Sequence, residues 1–110
     1  MKPRLEKLNE LIRHQLTQLI MREIEFPANS LVTITKIETS PDIKHCKVYI
    51  SVLPEKYRGT DLEILNKSSK LLYQQLKKQM TTKFIPNLRF LIDEQPIYAA
   101  EIDRLLDEIK

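Results

Sequence analysis

Apolar residues recur at steps of three and four from Lys2 to about Ile24: Leu5, Leu8, Ile12, Leu16, Leu19, Ile20 and Ile24. That spacing gathers them on one face of a 3.6-residue turn and predicts a long amphipathic helix. Arg4, Lys7, His14, Gln18 and Arg22 fall on an opposite stripe, with Leu11 set awkwardly among them. Phe26-Pro27 and Asn29-Ser30 end the helix and turn the chain. Leu31 to Thr39 is rich in Val, Ile and Thr, which predicts a strand, and Ser40-Pro41-Asp42 supplies turn chemistry. Cys46, Val48, Ile50 and Val52 then alternate with Lys47, Tyr49, Ser51 and Leu53. A half-buried second strand follows from that period, paired with the first as an antiparallel hairpin.

After a loop from Pro54 to Gly59, Thr60-Asp61-Leu62-Glu63 reads as a capping box, Thr60 and Glu63 satisfying each other's free amides. The helix that follows places Leu62, Leu65, Ser69, Leu72, Leu76 and Met80 on one stripe. On an unbroken helix Lys67, Lys70, Gln74, Lys77 and Lys78 lie opposite. Ser68-Ser69 is its weakest point, because Ser hydroxyls compete with the backbone ladder. Asn87 to Ile92 is a third strand, with Leu88, Phe90 and Ile92 facing one way and Arg89 and Leu91 the other. A short acidic helix from about Ala99 to Ile109 has Ile102, Leu105, Leu106 and Ile109 as its apolar face. Three strands with helices gathered on one face make an α+β sandwich.

Composition narrows the function classes. At 110 residues and 42% apolar, the chain fits one domain spanning 1–110 with a real core. A single Gly excludes a glycine-rich phosphate loop. A single Cys excludes a disulfide framework and a Cys-rich zinc site, and fits a reducing compartment. No apolar run approaches the ~20 residues of a membrane helix, and the opening MKPRLEKLNEL has charges where a signal peptide is apolar. The expectation is a small soluble intracellular domain without a membrane partner.

Charge is unevenly spread. Up to Ile92 there are 16 Lys/Arg against 9 Asp/Glu, whereas from Asp93 onward there are 2 against 6. No acid occurs between Glu63 and Asp93, a stretch holding Lys67, Lys70, Lys77, Lys78, Lys83 and Arg89. One sign of charge in an otherwise mixed chain marks a polyanion partner. His45 and Cys46 are adjacent on a strand and point to opposite faces, so they share no metal ion. Cys46 belongs to the core, which leaves no activated nucleophile. Asp103 and Asp107, four apart beside Arg104 and Lys110, read as a solvated helix face. Neither catalysis nor a cofactor or metal is expected. Tyr49, Tyr57 and Tyr73 read as packing or surface residues, since stacking platforms come as a close set on one sheet face.

The run Val32-Thr33-Ile34-Thr35-Lys36-Ile37-Glu38-Thr39-Ser40-Pro41-Asp42-Ile43-Lys44-His45-Cys46-Lys47-Val48-Tyr49-Ile50-Ser51 resembles the strand–turn–strand signature of bacterial ribosome-binding factor A. The similarity continues through Leu65-Asn66-Lys67, Lys83-Phe84-Ile85-Pro86-Asn87-Leu88-Arg89-Phe90 with Asp93, and Ile102-Asp103-Arg104-Leu105-Leu106-Asp107-Glu108-Ile109; Arg4 and the first helix fit the family's opening. The resemblance implies a type II KH-like fold, αββααβ, with a three-stranded sheet and two helices meeting at a kink. It further implies a cytoplasmic, monomeric assembly factor that binds the free immature small ribosomal subunit through its rRNA near the decoding region. Such factors assist late maturation, including processing of the rRNA 5′ end, are linked to growth in the cold, and work without catalysis. A GTPase is among the partners the family suggests.

Where the family usually carries Ala-x-Gly at the kink, this chain reads Ser68-Ser69-Lys70, which reduces the backbone freedom for a sharp bend. The basic residues often found just after the kink are replaced by Tyr73 and Gln74. The phosphate-contacting set is therefore read as Lys67, Lys70, Lys77 and Lys78, with Ser68 and Ser69 donating hydrogen bonds, and with Lys83, Arg89, Arg4 and Lys7 as outlying members. The competing reading is a protein-interaction adaptor that docks through Leu11 and the acidic C-terminal helix.

Overall fold

The computed structural model describes residues 4–94. The elements are α1 (Arg4–Glu23), β1 (Leu31–Thr39), β2 (His45–Leu53), a 3-10 turn (Glu55–Tyr57), α2 (Arg58–Lys67), α3 (Ser69–Gln79) and β3 (Asn87–Ile92). The expected acidic helix at about 99–109 lies outside the described residues.

The strands form one sheet in the order β1-β2-β3. β1 and β2 make the expected antiparallel hairpin, from Leu31 opposite Leu53 to Thr39 opposite Cys46, with a register shift between Ile34 and Lys36. That shift makes Thr35 an extra residue, a β-bulge. Its hydroxyl sits 2.7 Å from Asp93 Oδ2 and 3.3 Å from the Tyr49 carbonyl, tying the end of β3 to β1. β3 runs parallel to β2, His45 opposite Asn87 and Ile50 opposite Ile92. A parallel neighbour requires a crossover, and α2 with α3 supplies it.

Among the described residues, helices cover one face of the sheet only. Ile34 and Ile37 of β1, Cys46, Val48, Ile50 and Val52 of β2, and Leu88 and Phe90 of β3 point inward. They meet Ile12, Leu16, Leu19 and Ile20 of α1, Leu65 of α2 and Leu72 and Leu76 of α3, with Met80 closing the layer. On the open face Lys36, Tyr49 and Leu91 form one cross-strand row, and Glu38, Lys47 and Arg89 the next.

One local expectation is corrected. Thr60 is not a cap: the 3-10 turn runs directly into α2, so the backbone is already helical at Arg58, whose N–H donates to the Glu55 carbonyl. Thr60 and Asp61 thus lie inside the first turn, and Asp61 is fully buried with neither carboxylate oxygen hydrogen-bonded. The turn between β1 and β2 forms where Ser40-Pro41-Asp42 was expected to make it, with Ile43 at φ 58°. A β-branched residue rarely adopts that left-handed conformation. It is held by its N–H to the Ser40 carbonyl at 2.9 Å and by Asp42, which accepts from Ser40 Oγ at 2.5 Å and from the Lys44 N–H at 3.0 Å.

Candidate nucleic-acid interface

The break between α2 and α3 is one residue long. Ser68 has φ −92° and ψ 0°, and its N–H is shared between the Ile64 and Leu65 carbonyls at 3.0 and 3.1 Å. The ladder resumes when Leu72 N–H donates to the Ser68 carbonyl at 2.9 Å. The kink therefore forms without glycine, because ψ near 0° at negative φ is open to any residue.

What sets the bend is β3. Among the described residues its outer edge has no strand neighbour, and the α2–α3 junction covers it. Asn66 donates through Nδ2 to the Phe90 carbonyl at 3.2 Å and accepts from the Phe90 N–H at 3.0 Å. Ser69 Oγ donates to the Leu88 carbonyl at 2.5 Å. An exposed strand edge is thus closed by side chains of the crossover. The Ser69 proton is committed inward and is not available to a phosphate, whereas no hydrogen bond from the Ser68 hydroxyl engages a described residue. In the sequence Asn66 stood out only as part of the family-like run Leu65-Asn66-Lys67, with no role attached to it.

The basic residues fall into three places. Lys70, Lys77 and Lys78 are exposed along α3, with Gln74 between them, and none forms an ion pair with a described residue. Lys70 and Lys77 are seven apart, hence nearly in line on one helix face. Lys67 continues the stripe across the kink but pairs with Glu63 at 2.9 Å; both side chains are so exposed that the pair holds the lysine weakly. Lys83, Arg4 and Lys7 form a second group, lining a groove beyond the end of α3. Arg89 stands apart on the open sheet face beside Lys47. The stripe and the groove share the α3 end of the molecule; Arg89 does not join them.

The remaining chemistry is sparse. Among the described residues no group of three His, Cys, Asp or Glu side chains stands close enough to hold a metal ion. Cys46 is buried, and desolvation pushes its thiol pKa up, only partly offset by a hydrogen bond from Thr39. Asp42 is held below the usual carboxylate range by the Ser40 hydroxyl and the Lys44 N–H. Tyr49 and Tyr57 each lie under a lysine ammonium, Lys36 at 5.7 Å and Lys56 at 5.2 Å from the ring centre. They belong to different elements and build no common platform. No helix among the described residues is long and apolar enough to cross a membrane.

Comparison with known proteins agrees with this architecture. A family model described as ribosome-binding factor A matches residues 4–106. Ribosome-binding factor A of Thermodesulfovibrio yellowstonii is 35% identical over 107 residues, covering 97% of this chain and 91% of the relative. The Pseudomonas aeruginosa protein of the same name is 36% identical over 107 residues, covering 94% and 83%. The crystal structure of ribosome-binding factor A from Thermus thermophilus matches with a TM-score of 0.68 at 20% identity, covering 79% of this chain and 92% of that one. A model of the factor from the same organism, fitted into a cryo-EM map of a 30S complex, gives 0.67 at 24% identity, covering 77% and 90%. At such identities the structural likeness speaks to the fold, which is α+β and KH-like.

Proposed function

This chain belongs to the ribosome-binding factor A family, and from that premise we propose that it binds the free immature small ribosomal subunit through its rRNA. There it assists late maturation, including processing of the rRNA 5′ end, in the cytoplasm and as a monomer. It acts by binding and not by catalysis: differential affinity for two rRNA conformations shifts their populations. The relative fitted into a map of a 30S complex supports the choice of partner.

The observation that carries the reading is the acid-free stripe of Lys70, Lys77 and Lys78, continued by Lys67 over the kink. Ammonium groups in line along a helix neutralise successive phosphates and release counterions, which gives salt-dependent affinity with little sequence readout. Ser68 adds a donor at the bend. Because Asn66 and Ser69 already occupy the β3 edge at Phe90 and Leu88, bases do not pair with the backbone there. The partner is held by its phosphates and read by shape.

The test is sedimentation of the tagged protein with ribosomal particles at two ionic strengths, for the wild type and for Lys70→Glu/Lys77→Glu. The wild type is expected with free small subunits and not with assembled ribosomes. The double variant should stay folded, lose most of that binding, and reduce the slope of log affinity against log salt by roughly 1.5 for two lost phosphate contacts. Full binding by the double variant would move the interface off α3.

A further inference from the structure

Phosphate contacts alone bias no rRNA conformation against another, because the phosphates are present in both. A partner with equal affinity for two states shifts neither. The lysine stripe therefore needs a neighbour that tells paired from unpaired strand. A groove of about 720 Å³ opens between the start of α1, the β1–β2 turn and the segment joining α3 to β3. Leu11, Ile43 and Phe84 form its apolar wall, Arg4, Lys7 and Lys83 supply its charge, and no acid lines it. Leu11, which interrupts the polar stripe of α1, has an apolar neighbourhood here. Phe84 is 63% exposed, although Pro86 is fully buried and Ile85 packs against the core. The ring thus stands out from a fixed support, with the Lys83 ammonium 5.6 Å from its centre. Ile43 is the residue held at φ 58°, and backbone strain of that kind collects at binding sites.

Resting on the reading that the α3 stripe holds rRNA, we propose that this groove takes one unpaired nucleotide of that RNA. Its base stacks on Phe84 beside Leu11 and Ile43, and its flanking phosphates lie against Arg4, Lys7 and Lys83. A splayed-out base on an aromatic ring is a general mode of single-strand recognition, tolerant of sequence because every base has a π-face. A base inside a duplex has both faces covered and cannot enter. Lys83 belongs to the same acid-free stretch as Lys70, Lys77 and Lys78, so the groove continues the charge of the stripe. A second hollow of about 350 Å³ shares Ile43 and Phe84, but Asp42 on its wall repels phosphate and makes it the poorer site. The stripe then gives affinity, and the groove gives the difference in affinity that favours the rRNA conformation with this nucleotide unpaired.

The full chain is titrated at low salt with two probes, a blunt RNA duplex and the same duplex carrying one bulged uridine. The wild type is expected to prefer the bulged duplex by about 5- to 100-fold, the range for one base stacked on an aromatic side chain. The Phe84 ring protons should shift upfield with that probe only. Phe84→Leu keeps an apolar wall but removes the ring, and should bring the ratio close to one; Phe84→Trp should restore it. Equal binding of both probes by the wild type, or an unchanged ratio in Phe84→Leu, would overturn the proposal and leave the stripe standing. Binding of neither probe would overturn both. Groove amides that shift with an acidic amphipathic peptide and with neither duplex would assign the groove to a protein partner, and the proposal fails.

Discussion

Cys46 shows how one position on β2 decides reactivity. Its neighbours Lys47 and His45 point to the open face and are exposed, while Cys46 points into the core at 1% exposure. Burial favours the neutral thiol and raises its pKa above the value in the unfolded chain. The stability linked to that shift is fully present below the unfolded value, about 8.5, and is lost as pH rises through the folded one. Alkylation by iodoacetamide at pH 8 is therefore expected to be at least tenfold slower in the native protein than in urea. Equal rates would place Cys46 at the surface. The same alternation puts Arg89 on the open face, away from the α3 lysines.

Among the elements, the α2–α3 junction carries the most information. Two explanations of its bend make different predictions. If the bend came from the residue at the break, replacing Ser68 would remove it. The geometry assigns it to the anchors on β3, Asn66 to both polar groups of Phe90 and Ser69 to the Leu88 carbonyl. Asn66→Ala leaves a part-buried N–H and C=O without partners and is expected to cost about 1–3 kcal/mol in chemical denaturation. Ser68→Ala, which removes no hydrogen bond to a described residue, is expected to cost below about 0.5 kcal/mol and to keep the bend. A larger loss from Ser68→Ala than from Asn66→Ala would reverse that assignment.

At the scale of the whole molecule, the core and the basic stripe are two sides of one helix. Leu72 and Leu76 are fully buried against the sheet, while Lys70, Lys77 and Lys78 stand in solvent behind them. Loss of packing and loss of charge are therefore separable. Leu72→Ala should lower the stability by about 2–5 kcal/mol, seen as an earlier urea midpoint with an unchanged slope. While it remains folded, its binding to small subunits and the salt dependence of that binding should match the wild type. A folded Leu72→Ala with a flattened salt slope would mean that the stripe depends on the packing beneath it.

Much of this was legible in the chain itself, because periodicity is a local property. Three- and four-residue spacing placed α1 and the α2–α3 region, richness in Val, Ile and Thr placed β1, and the period of two placed β2 and β3 with the correct residues facing the core. Cys46 and the exposed lysines of α3 followed from the same patterns. Other features depend on contacts between residues distant in sequence. The parallel run of β3 beside β2, the closure of its edge by Asn66 and Ser69, and the backbone start of α2 at Arg58 belong to that group. So does the separation of Arg89 from Lys70 and Lys77: a strand and a helix sort their charges independently, and only their packing decides which of them meet. Leu11 was visible as an anomaly, but the groove that receives it exists only once the start of α1, the β1–β2 turn and Phe84 are brought together.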